Sequence, residues 1–487
     1  MRRVVCMVLA LMLVWAMWAP GAMAEQAVAD KIPEPTLSPD APPYDPDYPE
    51  DLSEDQLYAL SAILITANKG DAIFEKEADT LRYPASTTKI LTVLLGILMV
   101  DDLEEKVTVS ETALMIPEDS SKMKLIAGEE IRFIDVLYGT MLLSGNDGAN
   151  VIAETVSGDI NRFVDLMNET AAAYGCEHTH FMNPHGYHDD YHYTTARDMA
   201  IIARQAMQNE TFREIAGAVT WSIPRTNKQR ARTITTKSKY MLAGTEESPN
   251  KYYYPDATGI KTGSHSQAGY CFVGSASRNG VDLISVVFFT GDRARWADTI
   301  KLMNYGFSQY TSVTPMELYN MNPITIETSS YSTSDTNRGK LLLVCQPAAG
   351  AESARIIATK DEIQHMANNL TETMLIQYTR DFAAPIEAGE EMGTLTWFPE
   401  TGEPVTCSLT ASRSIARREN MPKTLEEIEA ETMADPNPFP PLNFETGMML
   451  FGPPLLLLIG IVALRRVRKK KRGRARRTPK IGHRYVK

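Results

Sequence analysis

The chain predicts an α+β fold, with helices layered on an antiparallel sheet whose strands come from distant parts of one region. Three observations carry that expectation. Strand-like runs stand at 61–75 and again at 269–290, helix patterns fill the interval between them, and 44% of the 487 residues are hydrophobic. That apolar content supports real cores, and the length points to two folded units.

In chain order, Arg2 and Arg3 precede an apolar run from Val4 to Ala19 and then Ala22-Met23-Ala24. A charged lead, a short apolar run and a small-x-small site are the marks of a secretory signal peptide, so residues 1–24 are expected to be cleaved off. Seven prolines between 31 and 50 make 25–51 an extended, solvated leader. The first folded region is expected over 52–313. It opens with the strand Ser61-Ala-Ile-Leu-Ile-Thr66, a turn at Asn68-Lys69-Gly70-Asp71 and a returning strand at 72–75. A helix pattern from Thr87 to Val100 places Ile90, Leu91, Leu94, Leu95 and Leu98 on one stripe. Further helices are expected at 133–143, 147–156, 160–174 and 196–208. The apolar strands 269–277 and 281–290 flank Arg278-Asn279-Gly280, where Asn-Gly signals a hairpin.

After about residue 313 the texture changes to short Thr/Ile/Val runs with Gly turns, read as a smaller β-rich domain over 314–416. Residues 424–434 are acidic and helix-like. Pro436, Pro438, Pro440 and Pro441 stiffen a stalk within the linker 417–443. Met448–Leu464 carries no charge and spans ~25 Å as a helix, a little short of a ~30 Å hydrocarbon core; starting at Phe444 closes the gap. A transmembrane helix is therefore expected at 444–464, although Pro453 and Pro454 interrupt it. The basic tail 465–487 is expected to stay cytoplasmic.

The net charge of −12 conceals an asymmetry. Residues 465–487 hold 13 Lys/Arg and no acid; setting these and Arg2 and Arg3 aside leaves 34 basic against 61 acidic groups, a charge of −27. So negative a body repels phosphate backbones, which argues against nucleic-acid binding. Of five cysteines, Cys6 lies in the signal peptide. Cys345 and Cys407 could pair in an oxidising compartment or remain buried thiols, and no spacing suggests zinc.

The chemistry is concentrated in three short motifs. Ser86-Thr-Thr-Lys89 at a helix start puts a hydroxyl and an amine on one face within a turn. Serine needs a base to become a nucleophile, and lysine can serve once burial or a nearby cation lowers its pKa. Ser144-Gly145-Asn146 lies between two helical runs, where a second hydroxyl and an amide could face the first pair. Lys261-Thr262-Gly263 precedes a strand and occurs once in the chain. A strand-borne Lys with an adjacent hydroxyl suits a substrate carboxylate, and Gly263 lets a ligand backbone approach. Each motif alone fits a cap or turn, and Ser248-Pro-Asn-Lys251 shows how easily Ser-x-x-Lys recurs in a loop.

Together, in this order, the three are the signature of penicillin-binding proteins and serine β-lactamases. Longer stretches at 61–70, 84–89, 144–147, 179–186, 193–196 and 259–263 resemble the low-molecular-mass serine D-alanyl-D-alanine carboxypeptidases, peptidase family S11. The resemblance is strong over about 50–310 and looser over 314–416. It implies a penicillin-binding-protein/serine β-lactamase-like catalytic domain acting on peptidoglycan stem peptides that end in D-Ala-D-Ala. The resemblance further implies covalent inhibition by β-lactams, no cofactor, and a place on the outer face of a bacterial plasma membrane. Ser86 would attack the D-Ala-D-Ala carbonyl, Lys89 would take its proton, and Ser144 would relay a proton to the leaving amine. Asn146 would hold the substrate amide, and Lys261 and Thr262 the terminal carboxylate.

One departure concerns His265, which stands where the family usually has Thr; it reads either as a titrating group beside the carboxylate site or as a surface residue. The histidines at 178, 180, 185, 188 and 192 fit no helix face, and no metal is expected there. A β-lactamase, a DD-endopeptidase and a catalytically silent wall-binding protein remain alternatives on the same motifs.

Overall fold

The computed structural model describes residues 52–347, 354–399, 402–419, 425, 428–430 and 464–466. The expected signal peptide, leader, most of the stalk and all but Leu464 of the 444–464 span lie outside them. Among the described residues no helix is long and apolar enough to cross a membrane.

The site is carried by a five-stranded antiparallel sheet. Its strands are β1 (Ser61–Thr66), β2 (Ala72–Lys76), β3 (Ala257–His265), β4 (Gly269–Arg278) and β5 (Val281–Thr290), in the order β2-β1-β5-β4-β3. As the sequence suggests, early and late strands meet: Ile63 pairs with Val286 and Leu64 with Ser285. The uninterrupted apolar run of β1 is buried along its whole length because both faces of the sheet are covered. Ile63 and Ile65 join a core with the helices on one side; Ala62 and Leu64 join another with Trp296, Ile300 and Met303 on the opposite side. The hairpin between β4 and β5 turns through Asn279 and Gly280, both at positive φ (52° and 81°), the conformation that Asn-Gly tolerates.

Helices α1 (Lys89–Met99), α2 (Phe133–Leu142), α3 (Asn146–Ser157), α4 (Ile160–Ala173), α5 (Ala196–Met207) and α6 (Glu210–Gly217) build the first core, and α7 (Ala294–Gln309) covers the opposite face. Helices α6 and α7 were not anticipated, and neither was β3 as a long strand. α7 is amphiphilic on a polar background, and its buried face becomes legible only when the sheet is there to receive it.

Beyond residue 313 a second antiparallel arrangement pairs Lys340–Pro347 with Val405–Ala411, Glu391–Trp397 and Met374–Tyr378 in turn. Its first strand alternates, burying Leu341, Leu343 and Cys345 while exposing Leu342 and Val344, so this sheet is covered on one face only. The region also holds helices Pro315–Met321 and Lys360–Asn368, which the β-rich sequence texture did not single out. No disulfide joins Cys345 and Cys407; the two buried thiols touch each other.

The chain divides into two compact units. One runs to Thr325 and includes Leu342–Asp381 and Glu390–Ser412; the other comprises Ile326–Leu341, Phe382–Gly389 and the residues from Arg413 onward. Within the smaller unit, the Arg413 guanidinium grips both carboxylate oxygens of Asp335 at 3.0 Å.

Candidate active site

The nucleophile candidate stands on a strained turn. Ala85 has φ +48°, and Ala85–Thr88 forms one 3-10 turn that runs into α1. In that tighter helix, residues three apart eclipse, which stacks Lys89 directly under Ser86. Thr87 donates to Pro84 O and Thr88 to Ala85 O, both at 2.8 Å, so the two threonines are buried with their hydroxyls satisfied while Ser86 keeps partial exposure. Thr92 extends the pattern by donating to Pro184 O at 2.6 Å.

Lys89 is fully buried. Its Nζ lies 2.9 Å from Ser86 Oγ, 2.7 Å from Asn146 Oδ1 and 2.6 Å from His185 O. Burial holds its basicity well below the usual lysine range, and the charges of Lys261 and Lys237 lower it further against the opposing pull of Asp147. A neutral amine has two hydrogens and one lone pair. Two of the three neighbours are carbonyl oxygens that can only accept, so in the neutral form both hydrogens would go to them and leave the lone pair for the Ser86 hydroxyl.

Lys261 closes the second half of the site. Its Nζ donates to Ser144 Oγ at 3.0 Å and to Thr262 O at 2.9 Å. Burial pushes its pKa down to about 7, helped by the Lys237 and Arg295 cations. Ser144 has φ +60°, and Asn146 is anchored through its backbone N–H to Ser121 O at 2.8 Å. The three motifs, 117 residues apart at the Ser144–Lys261 contact, thus meet in one place: Lys89 bonds Ser86 and Asn146, and Ser144, two residues before Asn146, bonds Lys261. Gly263 is what lets β3 approach; a Cβ there would lie 2.8 Å from Pro84 O and 3.1 Å from Ser86 N.

His265 lies on β3 one pleat beyond Gly263, its ring 5.3 Å from that of His188 and 6.1 Å from that of Tyr83. Ala268 N–H donates to its Nδ1, and burial beside His188 pushes its pKa down to about 4. It is therefore neither a free surface group nor one that titrates near neutrality. Ser248 and Lys251, the second Ser-x-x-Lys, sit in a loop as read from Pro249.

The histidine-rich stretch also has a structural office. Asn183 Oδ1 accepts from the N–H groups of His185, Gly186 and Tyr187, shaping the loop whose carbonyl meets Lys89. His192 accepts at Nδ1 from Met182 N–H, which leaves the proton on Nε2, 2.8 Å from Thr88 Oγ1. Burial, with the neighbouring His265, His180, Lys89 and His188, pushes its pKa down to about 3.

Sequence reasoning missed four contributors. Arg295, half-buried, reaches Gly263 O at 3.4 Å and pairs with Asp292 at 2.7 Å. Lys237 reaches Ser121 Oγ at 3.1 Å from the rim. Asp147 spends its carboxylate on the N–H groups of Met123, Leu125 and Gly148, and the His185 carbonyl holds Lys89. Only Asp147 had a signal, as an acid directly after the Ser-Gly-Asn triplet.

The comparisons with known proteins agree with this geometry. Residues 49–291 match the Peptidase_S11 family of D-alanyl-D-alanine carboxypeptidases. Over 370 residues the chain is 30% identical to the D-alanyl-D-alanine carboxypeptidase DacF of Bacillus subtilis, covering 75% of this chain and 86% of that protein. It is 31% identical over 269 residues to a D-alanyl-D-alanine carboxypeptidase of Streptomyces sp. strain K15, covering 53% of this chain and 90% of the relative. With the hydroxyl–amine pair, the Ser-Gly-Asn turn and the Lys-Thr-Gly strand assembled in one cleft, the chain belongs to peptidase family S11, the D-alanyl-D-alanine carboxypeptidases.

Proposed function

We propose that the protein is a serine DD-carboxypeptidase that removes the C-terminal D-alanine from peptidoglycan stem peptides through an acyl-enzyme on Ser86. The observation that carries this reading is Lys89: a wholly buried amine, 2.9 Å from Ser86 Oγ, with depressed basicity. In the first step Lys89 takes the Ser86 proton as Oγ attacks the carbonyl between the two D-alanines. The ester forms, the C–N bond breaks, and Ser144 relays to the departing amine the proton that Lys89 took, which returns Lys89 to its neutral form. Water then hydrolyses the ester with Lys89 again as base, releasing the shortened peptide. Asn146 holds the substrate amide, while Lys261 and Thr262 take the terminal carboxylate. β-Lactams, which present a carboxylate beside a strained amide, acylate the same oxygen.

We further propose that the enzyme is exported and tethered to the outer face of the plasma membrane. The support is sequence alone: the Arg2-Arg3 lead with its apolar run, and the uncharged stretch ending at Leu464 before the basic tail. Protease accessibility of the folded domain on intact cells checks this placement.

Intact-mass measurement after penicillin exposure tests the chemistry. The wild-type chain should gain one penicilloyl group and release D-alanine from a D-Ala-D-Ala peptide; Ser86→Ala should do neither. A folded wild-type chain that takes up no label would overturn the reading.

A further inference from the structure

The turn that carries Ser144 and Asn146 has almost no side-chain bulk behind it. Gly139 on α2, Gly145 in the turn and Gly148 on α3 leave a slot that Met123 fills, with Thr140 Oγ1 beside it at Gly148. A Cβ at Gly139 would lie 2.0 Å from Met123 Cε, one at Gly145 2.5 Å from Met123 Cγ, and one at Gly148 2.6 Å from Met123 Sδ. Met123 is buried and belongs to the connection between residues 115 and 129, which has little regular structure. Its backbone N–H donates to Asp147 Oδ1 at 2.8 Å, and Leu125 N–H donates to Asp147 Oδ2 at 3.1 Å. The same connection supplies Ser121, whose carbonyl accepts from Asn146 N–H and whose hydroxyl accepts from Lys237.

We propose that Met123 is a positioning residue for the acylation chemistry: its thioether is the plug that holds the Ser144–Asp147 turn against Lys89 and Lys261. An unbranched, polarisable side chain suits a slot of this irregular shape. Interiors pack tightly enough that an emptied slot is felt by its walls. Here those walls carry Ser144, bonded to Lys261, and Asn146, bonded to Lys89. If the plug is lost, the turn loosens, water reaches Lys89, and the lysine regains part of its basicity. The charged or titratable groups that act on Lys89 are Lys261, Lys237, Asp147, His185 and His192. None of them lies on the Met123 connection, so a changed titration reports hydration and turn position, not the removal of a neighbouring charge.

This inference rests on the proposed acylation at Ser86. The test is the pH profile of benzylpenicillin acylation in the full chain, for wild type, Met123→Ala, Met123→Leu and Met123→Val. The alanine variant should acylate at least about tenfold more slowly near neutrality, with its acid limb displaced upward by about one pH unit. Leucine, of similar volume, should restore rate and limb together. Should the alanine chain fail to fold, valine shortens the plug without emptying the slot and should give a smaller displacement in the same direction. A folded Ala or Val variant that is merely less heat-stable, with an acid limb superposed on wild type, overturns the proposal and leaves the proposed function standing. A wild-type chain without label at Ser86 removes both.

Discussion

Gly263→Ala is the substitution whose effect can be worked most directly from distances. The new methyl would meet Pro84 O at 2.8 Å, Ser86 N at 3.1 Å and Ala85 Cβ at 3.2 Å, whereas ordinary contact begins at 3.4 Å. Two of those three atoms are backbone of the nucleophile's own turn, so no side chain can swing aside. Strand and turn must part by about 0.6 Å at the tightest point. Misplacement of reacting groups by ~1 Å costs roughly 10²-fold, so a shift of half that size should slow acylation about tenfold, or ~1.4 kcal/mol in the barrier. Because the Lys89–Asn146 bond lies off β3 and burial is the leading influence on Lys89, the pH dependence should largely keep its shape while the rate falls. Stopped-flow acylation with a fluorescent penicillin, alongside a thermal melt, measures both. A folded Gly263→Ala chain that acylates within about twofold of wild type would show that the close approach of β3 to Ser86 is not needed for the chemistry.

Further expectations follow from the charges. Lys261→Ala removes a buried cation from the carboxylate site and should cut acylation by carboxylate-bearing ligands about 10²- to 10³-fold. With that neighbouring charge gone, Lys89 should become more basic, so the acid limb moves to higher pH; a limb that stays put or moves lower contradicts the assignment. In the wild type, Lys261 is cationic below about 7 and neutral above it, so kcat/KM should decline on the alkaline side of that value, and the decline should be absent in Lys261→Ala. His265→Thr should leave the shape of the profile unchanged between about pH 5 and about 9, because the His265 pKa lies near 4, below that window; a limb that disappears in the variant would restore a titrating role. For His192, the folded pKa near 3 lies below the unfolded ~6.5. The unfolded chain therefore binds the extra proton between those values, and stability falls as pH drops, by at most ~1.4 kcal/mol per unit from this group. Urea midpoints at neutral and mildly acid pH should show a smaller difference in a folded His192→Gln chain than in wild type.

The sequence by itself determined the chemistry-bearing groups and the fold class. Ser86 and Lys89 are three residues apart on a helix start, so their contact is a local property that the spacing and the helix start dictate together. The β1 strand and the Asn279-Gly280 hairpin are equally local, written in apolar runs and turn chemistry. What needed the tertiary structure was everything that depends on a neighbour from elsewhere in the chain. Lys89 has its basicity lowered because it is buried and feels the charges of Lys261 and Lys237, which lie 172 and 148 positions away. Arg295 and Lys237 had no motif to announce them, since a single cation acquires a role only from the cleft it enters. His265 was legible as a departure but not as a ring packed against His188 and Tyr83. Met123 was invisible for the same reason: a methionine in an irregular connection means nothing until three glycines on other elements leave the space it fills. Covalent spacing sets which groups can meet within a turn; burial, which sets their protonation, is a property of the whole packed chain.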